Sequence, residues 1–253
     1  LEVFQEQMSE AKQDLDRGRQ QLNSVLPRSI AHGLRVVEEI ARESQMEGYY
    51  GPLIDLFQLR SDVFRTAVEV AAGNALFHVV VDTDETAAYL MEQLERRKAG
   101  RLTFLPLNRI TAPQVRYPDS TDVRSMVDVA LVYEPDYDVA IRHVFGKKLL
   151  ARDLDVAAHF SKEFNLDAIT REGDLVNRRG GFEGGFHDER VSKIGAVLKI
   201  REATDKITAL MQEEAALRSA AEATEAEGRE KAQEAQKRRR RRMKLNELPP
   251  REH

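Results

Sequence analysis

Residues 66–85 read TAVEVAAGNALFHVVVDTDE, a stretch that contains the end of one helix, a strand and the start of a second helix. The first helix is predicted to begin at Ser61 and to stop at Gly73, because glycine is favoured just past a helix end. Residues 76–81 are rich in Val and Phe and predict a buried strand. The acidic segment 82–85 predicts a helix N-terminus, since carboxylate and threonine oxygens accept from free N–H groups.

The segments on either side of this stretch extend the same mixed pattern. The second helix is predicted to reach Lys98, with Gly100 as its stop and a strand over residues 101–105. A strand, a helix and a strand in that order predict a crossover with parallel strands. Ser29 is predicted to cap an earlier helix over residues 30–45.

The later part of the globular region alternates in the same way. Its predicted elements are a strand over 127–133, a helix over 137–145, a strand over 148–151, a helix over 154–164 and a hairpin of residues 167–170 and 174–177. The predicted fold class is α+β, with mixed sheets and packed helices.

Apolar residues at both ends of the chain fall at alternating spacings of four and three, the a and d positions of a coiled coil. The N-terminal set is Phe4, Met8, Ala11, Leu15, Gly18, Leu22 and Val25. The C-terminal set is Ile200, Ala203, Ile207, Leu210, Glu214, Leu217 and Ala221. Two such helices on either side of one domain predict an antiparallel coiled-coil stem.

Three regions are therefore predicted: an incoming coil over 1–26, a globular domain over 27–187 and an outgoing coil over 188–253. The outgoing coil ends in a basic tail, where residues 237–242 are six consecutive cations. Such a run could bind nucleic acid or act as a localisation signal. Like charges at helical spacing repel, so we instead expect this tail to be disordered and give it little functional weight.

Composition excludes several functions. The 253 residues carry a net charge of −4, which gives no overall argument for nucleic-acid binding, and they include no cysteine. Disulfides and thiolate chemistry are therefore excluded. The absence of cysteine suits a protein of a reducing compartment. The longest apolar run, residues 67–81, is too short and too polar to span a membrane. The first residues are charged and do not resemble a signal peptide.

No pattern of residues predicts catalysis or a cofactor. Asp82, Asp84 and Glu85 could bind a metal or act in acid/base chemistry, but a helix cap explains all three carboxylates. The histidines form no pair at zinc-ligand spacing, and no nucleophile-elbow motif occurs. We expect a protein that is not an enzyme and has no metal or cofactor; an enzyme using Asp82 and Asp84 is the alternative.

Two surface features each allow a structural and a functional interpretation. The glycine-rich segment 180–185 is either a flexible loop or a place where another backbone approaches closely, because glycine has no side chain to obstruct it. Four cations close to Gly146 are either a solvated surface or a small patch that touches phosphates. These cations are Arg142, Lys147, Lys148 and Arg152.

The globular region resembles the hinge domain of the structural maintenance of chromosomes (SMC) family. The resemblance is carried, in order, by residues 50–57 (YGPLIDLF), 66–74 (TAVEVAAGN), 76–85 (LFHVVVDTDE), 100–108 (GRLTFLPLN), 144–147 (VFGK), 168–174 (AITREGD) and 180–185 (GGFEGG). Within the family, the sequence of residues 66–70, 76–82 and 152–157 is most similar to that of the third SMC protein, a cohesin subunit.

The resemblance implies a nuclear, chromosome-associated protein that forms a heterodimer with the hinge of the first SMC protein of cohesin and closes a ring around DNA. It implies a dimer contact at Gly180, Gly181, Gly184 and Gly185, and a second contact at Met126 and Val127. It also implies weak or transient DNA contact, for which Lys147, Lys148, Arg142 and Arg152 are candidates. The alternatives are a DNA-binding module and a homodimeric SMC-type hinge.

Overall fold

The computed structural model describes residues 2–246, with the side chains of residues 3–188 and 190–240. The chain divides into two compact units. One comprises residues 16–200, and the other comprises residues 1–15 together with the chain from 201 onward. The last seven residues of the predicted basic tail lie outside the described part.

Eight α-helices are present in the described residues. They are α1 (Glu2–Val25), α2 (Arg28–Glu43), α3 (Arg65–Ala72), α4 (Asp84–Arg96), α5 (Met126–Ala130), α6 (Asp138–Phe145), α7 (Leu154–Phe164) and α8 (Lys193–Asn246). Residues 237–242 thus lie within the backbone of α8.

Between residues 2 and 246, ten short strands form three sheets. They are β1 (Tyr49–Pro52), β2 (Phe57–Leu59), β3 (Val79–Val81), β4 (Phe104–Pro106), β5 (Val123–Ser125), β6 (Leu131–Tyr133), β7 (Lys148–Ala151), β8 (Asp167–Thr170), β9 (Leu175–Val176) and β10 (Phe182–Glu183). The strand orders are β1-β3-β4, β10-β9-β8-β7-β5 and β2-β6. Helices and mixed sheets confirm the predicted α+β class.

The predicted crossover is confirmed. Strands β3 and β4 are parallel, with Val79 opposite Phe104, and α4 connects them. Thr83 caps α4, since its hydroxyl oxygen accepts from the Thr86 N–H at 3.3 Å. The predicted helix start is thus confirmed, whereas the strand predicted over 76–81 begins only at Val79, because Leu76 and Phe77 belong to a 3₁₀ turn.

Two local predictions are wrong. Helix α2 begins at Arg28 after Pro27 rather than after a Ser29 cap. The Pro27 carbonyl accepts from the N–H groups of Ile30 and Ala31, so proline takes the place expected for Ser29. The strand predicted over 127–133 begins with α5, because the Ser125 hydroxyl caps a helical turn and leaves only β6 extended.

The largest core lies between α3, α5, α6 and the sheets they cover. Its fully buried members include Leu53, Val68, Leu76, Ile141 and Phe145. These side chains come from segments far apart in the sequence, so burial of apolar area holds the unit of residues 16–200 together.

Glu69 connects α3 to the start of α8 within the same unit. Its carboxylate accepts from the Ser192 hydroxyl at 2.7 Å, from the Lys193 N–H at 2.9 Å and from the Ile194 N–H at 3.2 Å. A carboxylate satisfies the free N–H groups of a helix start and is favoured by the helix dipole. Glu69 therefore fixes where α8 begins.

The coiled-coil pattern of the N-terminal set is confirmed. Every a and d residue from Phe4 to Val25 is buried or half-buried, whereas the residues between them are mostly exposed. In the unit of residues 1–15 and 201 onward, Ala11 is buried along with Ala203 and Leu210. Leu217 of the C-terminal set is 61% exposed, so the seam on α8 ends before it.

Candidate functional site

The five-stranded sheet has a rigid centre. All four residues of β8 are buried. Asp167 on β8 accepts from the Lys148 ammonium of parallel β7 at 2.6 Å and from the Arg178 N–H at 2.9 Å. Burial acts to raise the pKa of Asp167, but these hydrogen bonds and the nearby positive charges outweigh it and hold the pKa below its usual value.

The chain leaves this centre through two hairpins. The β8–β9 turn is closed by a hydrogen bond from the Gly173 N–H to the Thr170 carbonyl at 3.1 Å. Asn177 closes the β9–β10 turn, where its side-chain oxygen accepts from the N–H groups of Arg179 and Gly181 at 2.9 and 3.0 Å. The predicted hairpin is thus present, and a second hairpin extends the sheet by one more strand.

Strand β10 is the outermost strand of this sheet, and its surface is open. It pairs with β9 through Phe182 opposite Val176. The Asn177 N–H donates to the Gly181 carbonyl at 2.9 Å, so alternation along the antiparallel ladder turns the N–H and C=O of Phe182 to the free edge. The Phe182 side chain is 61% exposed and that of Phe186 is 92% exposed.

The predicted glycines surround this strand, and all of them are exposed. A Cβ at Gly181 would lie 2.5 Å from the Asn177 amide, and one at Gly184 would lie 2.4 Å from the Asp174 carboxylate. Gly180 and Gly185 have φ values of +92° and +140°, with no atom within 4 Å of a Cβ. Two of these glycines thus accommodate side chains of the same chain, and two permit unusual backbone turns.

The second predicted contact is not at the surface. Met126 is 0% exposed and Val127 is 2% exposed, because α5 turns both side chains into the main core. A buried side chain cannot touch a partner without unfolding α5. Met126 and Val127 therefore pack in the core of the domain, and neither side chain is available for the predicted dimer contact.

Three of the four predicted DNA-contact residues have acidic partners. Lys148 pairs with Asp167. Arg142 bridges Asp128 and Asp138 at 3.5 and 2.9 Å, and Arg152 bridges Asp122 and Asp153 at 2.7 and 2.9 Å. Lys147 is exposed and makes no ion pair with the described residues. The predicted basic patch is therefore largely neutralised.

The acidic segment after β3 serves to hold the crossover. Asp82 accepts from the Thr83 N–H at 2.6 Å, and the Asp84 carboxylate accepts from the Asn108 amide at 2.7 Å. Among the side chains of residues 3–188 and 190–240, no three His, Asp or Glu groups are placed so that they could hold a metal ion. None of the described helices is both long and apolar enough to cross a membrane.

Comparison with known proteins decides the family. A family model described as the flexible hinge domain of SMC proteins matches residues 46–161. The crystal structure of the Pyrococcus furiosus SMC hinge domain is 30% identical with a TM-score of 0.54, and the match covers 69% of this chain and 88% of that one. This chain belongs to the SMC hinge family. It thus contains an SMC hinge domain, as predicted.

The curated relatives of this SMC hinge are much longer proteins. Structural maintenance of chromosomes protein 3 of Arabidopsis thaliana is 42% identical over 68% of this chain and 14% of its own length. Chromosome segregation protein sudA of Emericella nidulans is 40% identical over 78% of this chain and 16% of its own length. A Cryptococcus neoformans protein named Urease accessory protein 2 is 43% identical over 74% of this chain and 15% of its own length.

A second solved structure bears on the subfamily. The structure named "Folded elbow of cohesin" has a TM-score of 0.74 and 32% identity, covering 85% of this chain and 31% of that chain. The predicted similarity to the third SMC protein is confirmed by the match to structural maintenance of chromosomes protein 3. The hinge spans about 15% of the length of the curated relatives, so the activity of a whole protein is not shown by this match.

Sequence reasoning passed over the residues that make the β10 surface unusual. Phe182 lies within the glycine-rich segment 180–185 and Phe186 directly follows it, and the sequence analysis predicts exposure for neither. A signal was present, because a large apolar residue between glycines at the end of a hairpin has few neighbours to bury it. Asn177 was likewise missed as the residue that forms the β9–β10 turn.

Proposed function

We propose that this chain is the hinge of a cohesin SMC subunit and forms a heterodimer with the hinge of the first SMC protein of cohesin. The observation that carries the proposal is the free edge of β10, where Phe182 is 61% exposed beside unpaired backbone groups. Similarity to the third SMC protein and to the cohesin structure supports the choice of partner.

The physics of an edge strand explains why β10 suits a partner. A free edge presents a row of N–H and C=O groups that another strand can pair with. Exposed aromatic rings at that edge add apolar area to the contact. Gly180 and Gly185 leave open space next to β10, since nothing lies within 4 Å of where their Cβ atoms would be.

The biological role follows from this pairing. Two hinges that bind each other would join two SMC arms and close the ring that entraps DNA in sister-chromatid cohesion and chromosome organisation. The protein would then be nuclear and chromosome-associated. Direct DNA contact would be weak, because Lys147 is the one predicted contact residue without a carboxylate partner in the described chain.

Sedimentation velocity tests the proposal, with this chain run alone and then mixed with the hinge of the first SMC protein. We expect a one-to-one complex in the mixture and much weaker self-association. The variant Phe182→Glu should weaken that complex at least tenfold, because it places a charge against an apolar contact. Met91→Glu is the matched control, since Met91 is 56% exposed on α4.

Each outcome has a clear meaning. Equal affinity for wild type and Phe182→Glu would remove β10 from the interface. A stable homodimer that ignores the other hinge would favour the homodimeric alternative. A persistent monomer that binds DNA would favour the DNA-binding module.

A further inference from the structure

A groove at the start of α2 is lined by several basic side chains. It lies in the unit of residues 16–200. Its polar lining consists of Asn23, Arg28, Ser29, His32, Arg35 and Lys98, and no carboxylate lines it.

Two local features bring these side chains together. Arg28, His32 and Arg35 are spaced by four and three residues, so they share one face of α2. Lys98 follows the end of α4 in a left-handed conformation, with φ +52°. Gly100 allows that end to approach α2 closely, because a Cβ there would lie 2.2 Å from the Ser29 carbonyl oxygen.

The cations of the groove have no partners in the described chain. Arg28, Arg35 and Lys98 are exposed, and none of them forms an ion pair with a described residue. The neighbouring Arg97 contrasts with them, because it approaches Glu39 and Glu43 at 3.9 and 3.7 Å. Cations without counter-charges on one concave surface attract an anion.

The length of the basic face formed by Arg28, His32 and Arg35 limits the size of the ligand. Arg28 and Arg35 are seven residues apart, which is about 10 Å along a helix. The next residue on the same face is Glu39, which is acidic and already paired. A compact anion therefore fits this basic face better than an extended polymer, which would continue onto acidic surface.

We propose that this groove binds a compact polyphosphate, whose closely spaced phosphoryl groups the two arginines and Lys98 hold. Guanidinium groups bind phosphate oxygens through paired hydrogen bonds, and His32 and Asn23 add further hydrogen-bonding groups. The first turn of α2 has no side-chain cap, and the dipole of the helix adds positive potential at this end. This binding is independent of the hinge pairing at β10.

Isothermal titration calorimetry with inorganic tripolyphosphate, in buffer without magnesium, tests the proposal on this chain. We expect saturable one-site binding. Replacing both Arg28→Gln and Arg35→Gln should weaken it at least about tenfold, the cost of losing charge-assisted contacts. The double variant Lys147→Gln and Lys162→Gln removes the same charge elsewhere and should leave the affinity within about twofold. Circular dichroism verifies that both variants are folded.

Three results would overturn the proposal. The first is no saturable binding by the wild-type chain. The second is an equal loss in both double variants, which would mean general attraction to positive charge. The third is a short DNA duplex that binds more tightly than tripolyphosphate and depends on Lys147 and Lys162, which would mean an extended nucleic-acid surface.

Discussion

The two outer strands of the five-stranded sheet have opposite environments. In β5, Val123 is 1% exposed and Ser125 is 6% exposed, and both α5 and α7 contact the strand. In β10, both residues are exposed and Phe182 extends into solvent. The covered strand contributes to the stability of the domain, whereas the open strand is available for association. Four variants test this division, from the largest expected effect on folding to the smallest.

Met126→Ala should have the largest effect, because it removes a fully buried side chain beside β5. We expect the free energy of unfolding to fall by about 2–5 kcal/mol, the usual loss for a large core residue cut to alanine. Urea titration followed by circular dichroism measures it. Met91→Ala, at an exposed position on α4, is the control and should change stability by less than about 0.5 kcal/mol. Equal losses in the two variants would contradict the burial of Met126.

Asp167→Asn tests the centre of the sheet, where it removes the charge that pairs with Lys148. We expect a loss of roughly 1–3 kcal/mol at neutral pH, since Lys148 keeps its charge without a carboxylate partner. The matched control is Asp119→Asn, which changes an exposed carboxylate that forms no ion pair with the described residues.

The same variant should also change the pH dependence of stability. The folded-state pKa of Asp167 is below its usual value, so its contribution is present above about pH 4 and is lost as the pH falls through the folded pKa. The wild-type chain should therefore lose stability more steeply than Asp167→Asn in that acid range. Parallel curves for the two proteins would show that the pair does not favour the ionised form.

Ser161→Ala should lower the stability of the domain by less than Asp167→Asn does. The buried Ser161 hydroxyl donates to the Val176 carbonyl at 3.2 Å and so ties α7 to β9. We expect a loss of about 1 kcal/mol, the usual net value of one such hydrogen bond. Thermal unfolding followed by circular dichroism measures the change. A loss as large as that of Met126→Ala would mean that β9 depends on α7 far more than one bond explains.

Phe182→Glu should have the smallest effect on folding. The side chain is mostly solvated, so we expect the free energy of unfolding to change by less than about 0.5 kcal/mol. Urea titration of the isolated chain at low concentration measures it, to exclude any contribution from association. A loss of several kcal/mol would show that β10 belongs to the folding core, and the contrast between the two edges would disappear.

Local signals predicted most of the elements. The Thr83 cap, the parallel pair of β3 and β4 and the N-terminal coiled-coil seam all follow from residues close together in the chain. The strand predicted over 127–133 was wrong because its apolar residues suit a strand or a buried helical turn equally well. The Ser125 cap and packing against the core select the helical turn.

The sequence by itself determined the family, the α+β class and the coil at each end, because spacing and local capping are properties of neighbouring residues. Only the tertiary structure decided which candidate residues are accessible. It buried Met126, paired Lys148 with Asp167 and left Phe182 exposed. Burial and ion pairing depend on segments that meet only after folding, so no local pattern predicts the burial of Met126 or the pairing of Lys148 with Asp167.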